Sequence, residues 1–156
     1  MQPLALLSSL RSNEQHSGKD MTFKWLVLLA PALLSACLGL NPNSSPKDSF
    51  TIPVAYEVVF DRARAQAERC WSADGEFPII STINKSDRTA LVAVTGELGG
   101  SRYGQVDIRA LNDQSTQVEV IVNGVNIWDV KSLAAMHEVL QFGVPTCVSY
   151  MPRPRP

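Results

Sequence analysis

A short apolar segment near the start of the chain most limits what the rest can become. Lys24 supplies a positive charge, and Trp25 to Leu34 form an apolar run of about ten residues. A transmembrane helix needs about twenty apolar residues, so this run is too short to span a bilayer. A basic residue, a short apolar run and then small residues are typical of a secretory signal. We therefore expect the remainder of the chain to fold after export.

The apolar run ends in Leu34-Ser35-Ala36-Cys37. This resembles the lipobox of bacterial lipoproteins, Leu-[Ala/Ser]-[Gly/Ala]-Cys, at all four positions. The resemblance implies that the chain is cleaved before Cys37, and that this cysteine is acylated on its sulfur and on its new amine. Two or three acyl chains make membrane attachment effectively stable, whereas one holds a protein only marginally. The alternative is an ordinary signal peptide with a chance cysteine.

The residues on either side of this signal refine the expectation. Leu38 follows the cysteine, whereas Asp at that position retains enterobacterial lipoproteins in the inner membrane. The resemblance therefore implies an outer-membrane protein, anchored by lipid and facing the periplasm. Residues 1–20 are mixed and polar, which does not fit a signal. We expect residues 1–20 to reflect an over-long gene start, Met21 to be the true initiator, and residues 21–36 to be the signal peptide.

The part after the signal has the size and charge of one ordinary domain. It contains 120 residues (156 − 36), which is enough to bury a core. Its 11 Lys and Arg and 13 Asp and Glu give a net charge of −2, so nothing favours nucleic acid as a partner. No other apolar run approaches membrane-spanning length. The acyl chains on Cys37 are therefore the expected membrane attachment.

The cysteine count predicts a covalent crosslink. If lipid occupies Cys37, Cys70 and Cys147 remain as a pair in the oxidising periplasm, where a disulfide is the simplest outcome. Two separate free thiols are an alternative. A metal site is another, but two thiols with only His137 nearby in sequence lack the paired spacing of metal ligands. We expect no metal and no cofactor.

Two helices are predicted from apolar residues at three- and four-residue spacing. The first spans Tyr56 to Trp71, and its opposite face carries charges that we expect to be solvated. The second spans Val130 to Phe142, with Asp129 as its N-cap and Gly143 at its end. Residues 37–50, with the lipidated cysteine, are expected to form a flexible tether, and residues 151–156 a frayed tail.

Four strands are predicted between the helices from alternating or β-branched apolar residues: Phe77–Ile83, Thr89–Thr95, Gly104–Leu111 and Thr116–Val122. The connections between them are short and rich in turn residues, which favours an antiparallel meander. We predict a single α+β domain over residues 51–150, in the order helix, four-stranded antiparallel meander, helix, with both helices packed on one face of the sheet. The disulfide would then join the end of the first helix to the segment after the second.

The loop from Gly96 to Gly104 is the candidate recognition loop. It contains four glycines but lacks the Gly-Lys-Ser/Thr ending of a phosphate loop, and a strand follows it instead of a helix. A mobile hairpin loop is the simplest interpretation. Three residues, Ser101, Arg102 and Tyr103, are expected at its exposed tip, and they are the residues that we would assign to recognition.

The remaining polar residues do not form a recognisable catalytic arrangement. His137 is the only histidine after the signal and has no nucleophile beside it in sequence. Three acidic residues, Glu97, Asp107 and Glu119, could be combined into a carboxylate pair, but nothing in their spacing requires it. Two tryptophans, Trp71 and Trp128, are expected to pack at the edge of the core instead of binding sugar.

The whole chain after the signal is similar to small proteobacterial lipoproteins that carry no agreed activity. They share a helix ending in Cys-aromatic (here Arg69-Cys70-Trp71), a β-meander and a late second cysteine. The leading expectation is a non-enzymatic interaction or accessory module with an envelope protein as partner. A second is an inhibitor or ligand binder, for example one that inserts residues 101–103 into a muramidase. A third, disfavoured, is an envelope hydrolase using Glu97, Asp107 or His137.

Overall fold

The computed structural model describes residues 39–96 and 100–148. The predicted signal peptide, Cys37, Glu97 and the predicted tail lie outside the described residues. The helices and strands, in chain order, are β1 Lys47–Ile52, α1 Tyr56–Gln66, β2 Ile79–Asn84, β3 Thr89–Thr95, β4 Arg102–Asn112, β5 Ser115–Val122 and α2 Val130–Phe142.

The α+β class is confirmed, but the prediction of four strands is wrong, because the sheet formed by the described residues has five. Its strand order is β1-β5-β4-β3-β2, and every neighbouring pair is antiparallel. The missed strand, β1, pairs with β5 so that Phe50 lies opposite Val118. Pro46 and Pro53 bracket β1, and its first residues are polar, so in the sequence it looks like linker. Pairing with β5 decides its conformation, and a single-sequence pattern does not reveal that partner.

The segment expected to be a flexible tether is bonded to the domain wherever the structure describes it. Leu40 N donates to Arg102 O at 3.0 Å, so the chain is fixed from its second described residue. A turn follows, in which Asn41 N donates to Ser45 Oγ at 2.8 Å. Val122 N then donates to Pro46 O at 3.0 Å, directly before β1 begins. Residues 39–50 therefore belong to the folded domain.

The core lies on one face of the sheet. Alternate residues in the middle of β4 and along β5 are buried there, as the fully buried Val106 and Val118 illustrate. Val59 of α1 and Met136 of α2 join the same core cluster, so both helices contribute to one hydrophobic layer. Burying one such side chain contributes about 1.5–3 kcal/mol, which makes this layer the main source of stability.

The first helix is regular only as far as Gln66. The predicted segment Tyr56–Trp71 is helical throughout, but Ala67–Trp71 form a π-helical turn. The Gln66 side chain is fully buried and forms two bonds with one backbone unit: its Nε2 donates to Thr146 O at 2.8 Å, and its Oε1 accepts from Thr146 N at 3.1 Å. These bonds satisfy a buried amide and hold the segment after α2 against α1.

Arg62 is an exception to the charged face that we expected to be solvated. Its Nη1 donates to Leu140 O at 2.7 Å and to Gln141 O at 3.1 Å, both in the last turn of α2. The last carbonyls of a helix have no partners within the helix, and a cation favours that end of the helix dipole. Arg62 therefore caps α2 from the neighbouring helix.

The second helix has the predicted boundaries, Val130–Phe142. The Asp129 side chain accepts hydrogen bonds from the backbone N–H groups of Lys131 and Ser132, at 2.9 and 3.1 Å. Gly143 ends the helix in the left-handed region, with φ of 81°. Both termini are thus set by local side-chain chemistry that the sequence displays.

The predicted disulfide between Cys70 and Cys147 is present, with a Cα–Cα distance of 5.3 Å. It joins the π-helical turn after α1 to the segment after α2, as predicted. It lies one turn from the bonds of Gln66 to Thr146, so covalent and hydrogen bonds hold the same segment.

Reduction of the Cys70–Cys147 bond should lower the free energy of unfolding by about 2–5 kcal/mol, because the unfolded chain regains the entropy that the crosslink removed. Urea unfolding followed by circular dichroism, with and without dithiothreitol, measures this change. The Cys70→Ser/Cys147→Ser variant should match the reduced protein and should not respond to dithiothreitol. Equal stability of oxidised and reduced protein would contradict the expectation.

The two tryptophans pack in the core, as expected. Trp71 is fully buried, and its ring lies over Gly104 of β4. Trp128 is 4% exposed and stacks on Tyr103 with ring centroids 4.6 Å apart. Phe77 meets Trp128 edge to face at 4.7 Å. These aromatic side chains close the end of the core at which β4 begins.

Replacing Gly104 by Ala should destabilise the domain, because the added Cβ would lie 2.8 Å from Cζ3 of the buried Trp71 ring. Overpacking of this kind costs about 1–3 kcal/mol. Thermal unfolding should therefore show a lower midpoint for Gly104→Ala. Gly100→Ala is the matched control, since nothing lies within 4 Å of the position that its added Cβ would occupy, and its midpoint should be unchanged. Equal midpoints for both variants would refute the close approach of Trp71.

Candidate functional site

The candidate site is the face of the sheet opposite the helices, which we call the open face. Side chains alternate along a strand, so the neighbours of buried Val106 and Ile108 point to the other side. On β4 these are Gln105, Asp107 and Arg109. The core cluster that contains both helices lies on the other face, and the described part of the chain places neither helix over this one.

A groove of about 590 Å³ crosses the open face. Strands β2 to β5 all contribute to its lining, and the side chains are mostly polar or charged. The lining includes Thr82, Leu91, Gln105, Asp107, Arg109 and Glu119. A second depression of about 540 Å³ adjoins it and is bordered by Gly39, Leu40 and Pro42. The two depressions share Arg102, Gln105, Asp107 and Glu119, so they form one continuous surface.

A chain of hydrogen bonds orients the polar side chains along β4. The exposed Arg102 donates from Nη1 to Gln105 Oε1 at 2.5 Å. Gln105 in turn donates from Nε2 to Asp107 Oδ2 at 2.6 Å. Gln105 and Asp107 are two residues apart on β4, and Arg102 lies three residues before Gln105, so the strand backbone and not a mobile loop sets their spacing. Such a preorganised row loses little side-chain entropy when a partner binds it.

Two carboxylates lie directly opposite each other at the centre of the open face. Asp107 of β4 is the cross-strand partner of Glu119 of β5. Like charges at directly opposed positions destabilise a sheet. Only Glu119 has a neutral donor from the next strand, Ser49 Oγ at 3.1 Å. With Arg102 and Arg109 on either side, the surface presents a central negative pair between two cations.

The structure distributes the predicted recognition residues over two environments. Ser101 precedes β4, while Arg102 and Tyr103 are its first two residues. Arg102 is exposed and belongs to the groove. Tyr103 is half-buried and stacks on Trp128, so it is not at an exposed tip. The three residues therefore do not form one protruding contact: Ser101 lines the second depression, Arg102 lines both depressions, and Tyr103 packs inward.

His137 lies away from this site. Its Nδ1 is 2.7 Å from Asp48 Oδ2, and its ring stacks on Phe50 at a centroid distance of 3.8 Å. These contacts fasten α2 to β1 on the helical side of the sheet. Asp107 is on the other side, so the structure does not bring these two suggested acid–base residues together. Asp107 and Glu119 do come together, and Glu97 lies outside the described residues.

Sequence reasoning missed the polar side chains around Asp107. Gln105 and Arg109 lie on the same face of β4 as Asp107, and the β4–β5 register adds Gln117, which lies opposite Arg109. The signal that could have found them was the outward half of the β4 alternation, to which we assigned no binding role.

Two further observations concern the described residues. Within residues 39–96 and 100–148, no three His, Cys, Asp or Glu side chains are grouped so that they could hold a metal ion. Neither of the helices in these ranges is long and apolar enough to cross a membrane. Comparison with known proteins adds no assignment: no family model matches the chain, and no curated protein matches its sequence significantly.

Neutralising one of the opposed carboxylates should stabilise the domain. Glu119→Gln removes the repulsion from Asp107 and keeps an oxygen that can accept from Ser49 Oγ, so the free energy of unfolding should rise by about 0.2–1 kcal/mol. Urea unfolding at low salt measures the gain, and added salt should reduce it. Glu138→Gln, on the exposed side of α2, should leave stability unchanged. A loss of stability in Glu119→Gln would show that the charge is favourable where it lies.

Proposed function

We propose that this chain is a lipid-anchored outer-membrane lipoprotein that faces the periplasm and binds an envelope protein through its open face, without catalysing a reaction. The observation that carries the proposal is the groove on this face, a broad surface lined mainly by polar side chains, over which the described residues place neither helix, while the core cluster lies on the other side. Charged side chains held in position on regular strands suit recognition of a complementary surface.

The proposed location is supported by two features of the sequence and one of the structure. Leu34-Ser35-Ala36-Cys37 resembles a lipobox, and Leu38 follows it in place of Asp. The Cys70–Cys147 disulfide suits an oxidising compartment such as the periplasm. Together they favour an exported domain whose first cysteine carries lipid.

The structure also bears on how far such an anchor would hold the domain from the membrane. Only Leu38 separates Cys37 from Gly39, where the described domain begins. Two residues extend at most about 7 Å, so the rim of the groove at Leu40 and Arg102 would lie close to the lipid headgroups. A domain on a long tether could bind a partner far from the membrane, whereas this domain would bind a partner that lies at the membrane surface.

The partner should carry cations opposite Asp107 and Glu119 and acceptors opposite Arg102 and Arg109. A protein surface with both kinds of group meets this requirement more readily than a small molecule does, because the groove extends across four strands. Charge complementarity of this kind sets specificity and association rate more than affinity.

Photocrosslinking in living cells tests the proposal. A photoreactive p-benzoylphenylalanine replaces Gln117, which lines the groove and is exposed, in the full-length chain. Irradiation should give one discrete higher-mass adduct that mass spectrometry identifies as an envelope protein. Asp107→Lys/Glu119→Lys in the same chain should abolish the adduct, since it reverses the charge of the central pair.

Two controls define the outcomes. The same photoreactive residue at Glu138, exposed on α2, should give no adduct, because it lies on the helical side. Cys37→Ser should prevent incorporation of a labelled fatty acid and weaken the adduct at Gln117. An unlabelled wild-type protein would refute the lipid anchor. An adduct at Glu138 and none at Gln117 would refute the open face as the binding surface.

A further inference from the structure

The two edges of the sheet differ in how they are protected against further strand pairing. The outer edge of β1 follows Pro46, starts with the charged Lys47 and Asp48, and ends before Pro53. Proline and charge are common means of blocking an edge strand. The other edge strand, β2, also follows a proline, Pro78, but its own sequence, Ile-Ile-Ser-Thr-Ile-Asn, carries no charge and has no bulge against β3.

The outer edge of β2 offers a regular row of hydrogen-bonding groups. Thr95 N donates to Pro78 O at 3.0 Å, so Pro78 and the alternate residues after it bond towards β3. The backbone N–H and C=O groups of Ile79, Ser81 and Ile83 therefore point away from the sheet. Within the described residues no strand lies beyond β2.

We infer that β2 pairs with β2 of a second copy of this chain, antiparallel and centred on Ser81, so that two five-stranded sheets become one continuous sheet. This edge adjoins the open-face groove, which Thr82 of β2 also lines, but the backbone pairing does not depend on the proposed partner. The strand that pairs with β2 is β2 of a second copy, because this strand is complementary to itself in the register that its free backbone groups require.

The self-complementarity can be read residue by residue. With Ser81 on the two-fold axis, Ile79 faces Ile83 of the copy, and each copy's Ile83 faces the other's Ile79. All three outward-pointing backbone positions then lie in hydrogen-bonded pairs, which gives about six new backbone bonds. Residues 79, 81 and 83 all point to the helical face of the sheet, and each lies opposite another of the three in the copy. The helical faces of both sheets therefore lie on the same side.

The side chains favour the same arrangement. Ile79 and Ile83 are half-buried and already pack against the core, so the copy's isoleucines would extend that apolar layer. Ile80, which is 43% exposed, would lie opposite Thr82 of the copy on the open face. The first charge beyond the strand, Lys85, would lie opposite Phe77, so no like charges meet.

Charge exchange at the axis tests the inference. Two full-length copies with different epitope tags are expressed in the same cells, and one is purified in mild detergent while the other is quantified. Wild-type copies should co-purify. If both copies carry Ser81→Lys, or both Ser81→Glu, co-purification should fall about fivefold or more, because like charges would oppose each other on the axis. One copy of each variant should restore it.

The outcomes distinguish self-pairing from misfolding and from pairing with a different chain. Ser81 is exposed, so both variants should unfold at the wild-type midpoint, which excludes misfolding as the cause. Thr51→Lys, an exposed position on the protected edge β1, should co-purify like wild type. Absence of wild-type co-purification would overturn the inference, as would indifference to Ser81→Lys. A different protein lost from the Ser81→Lys sample would show that β2 receives another chain instead of its copy.

Discussion

The one-sided burial of the sheet is the constraint on which the rest of this structure depends. Val106, Val118 and Val120 have no exposed surface, and each is followed by a residue that points to the other side. Their face must be covered, and both helices cover it. The alternate residues are freed from packing, so they can carry charges at fixed spacing. The open face is therefore a consequence of how the core is built.

Contacts between distant parts of the chain then hold the helices on that face. Arg62 of α1 caps the last turn of α2, and Gln66 binds the backbone of Thr146. The Cys70–Cys147 bond follows one turn later. Together they join the second half of α1 and the π-helical turn after it to the end of α2 and the segment that follows α2. These contacts hold the two helices together on the side of the sheet opposite the polar groove.

The pairing of β1 with β5 has a comparable role at the start of the domain. It places the segment from Gly39 to Pro46 against the beginning of β4 and the end of β5. The proposed anchor and the proposed binding face are thereby adjacent, although residues near 40 and near 107 are far apart in the chain. Because the segment from Gly39 to Pro46 is bonded to the domain, it would fix the orientation of the groove relative to the membrane more directly than a flexible tether would.

Several elements follow from local patterns. The boundaries of α2 depend on the Asp129 cap and on Gly143, both of which act within one turn of the helix ends. Strand β3 has the predicted limits because five of its seven residues are buried and its ends adjoin turn residues. The disulfide was predictable because the compartment and the cysteine count leave one pair. These features need only neighbouring residues or a count of cysteines.

The sequence by itself determined the helices, four of the strands and the cysteine pairing. Hydrophobic periodicity and helix capping depend on neighbouring residues, and the cysteine count together with the expected compartment leaves one pair. Only the tertiary structure decided that Lys47–Ile52 is a strand, since its conformation comes from β5 and not from its own composition. It also decided that Asp107 meets Glu119 while His137 meets Asp48. Strand register and the packing of helices on the sheet bring together side chains that are distant in sequence. No local sequence pattern specifies either of them.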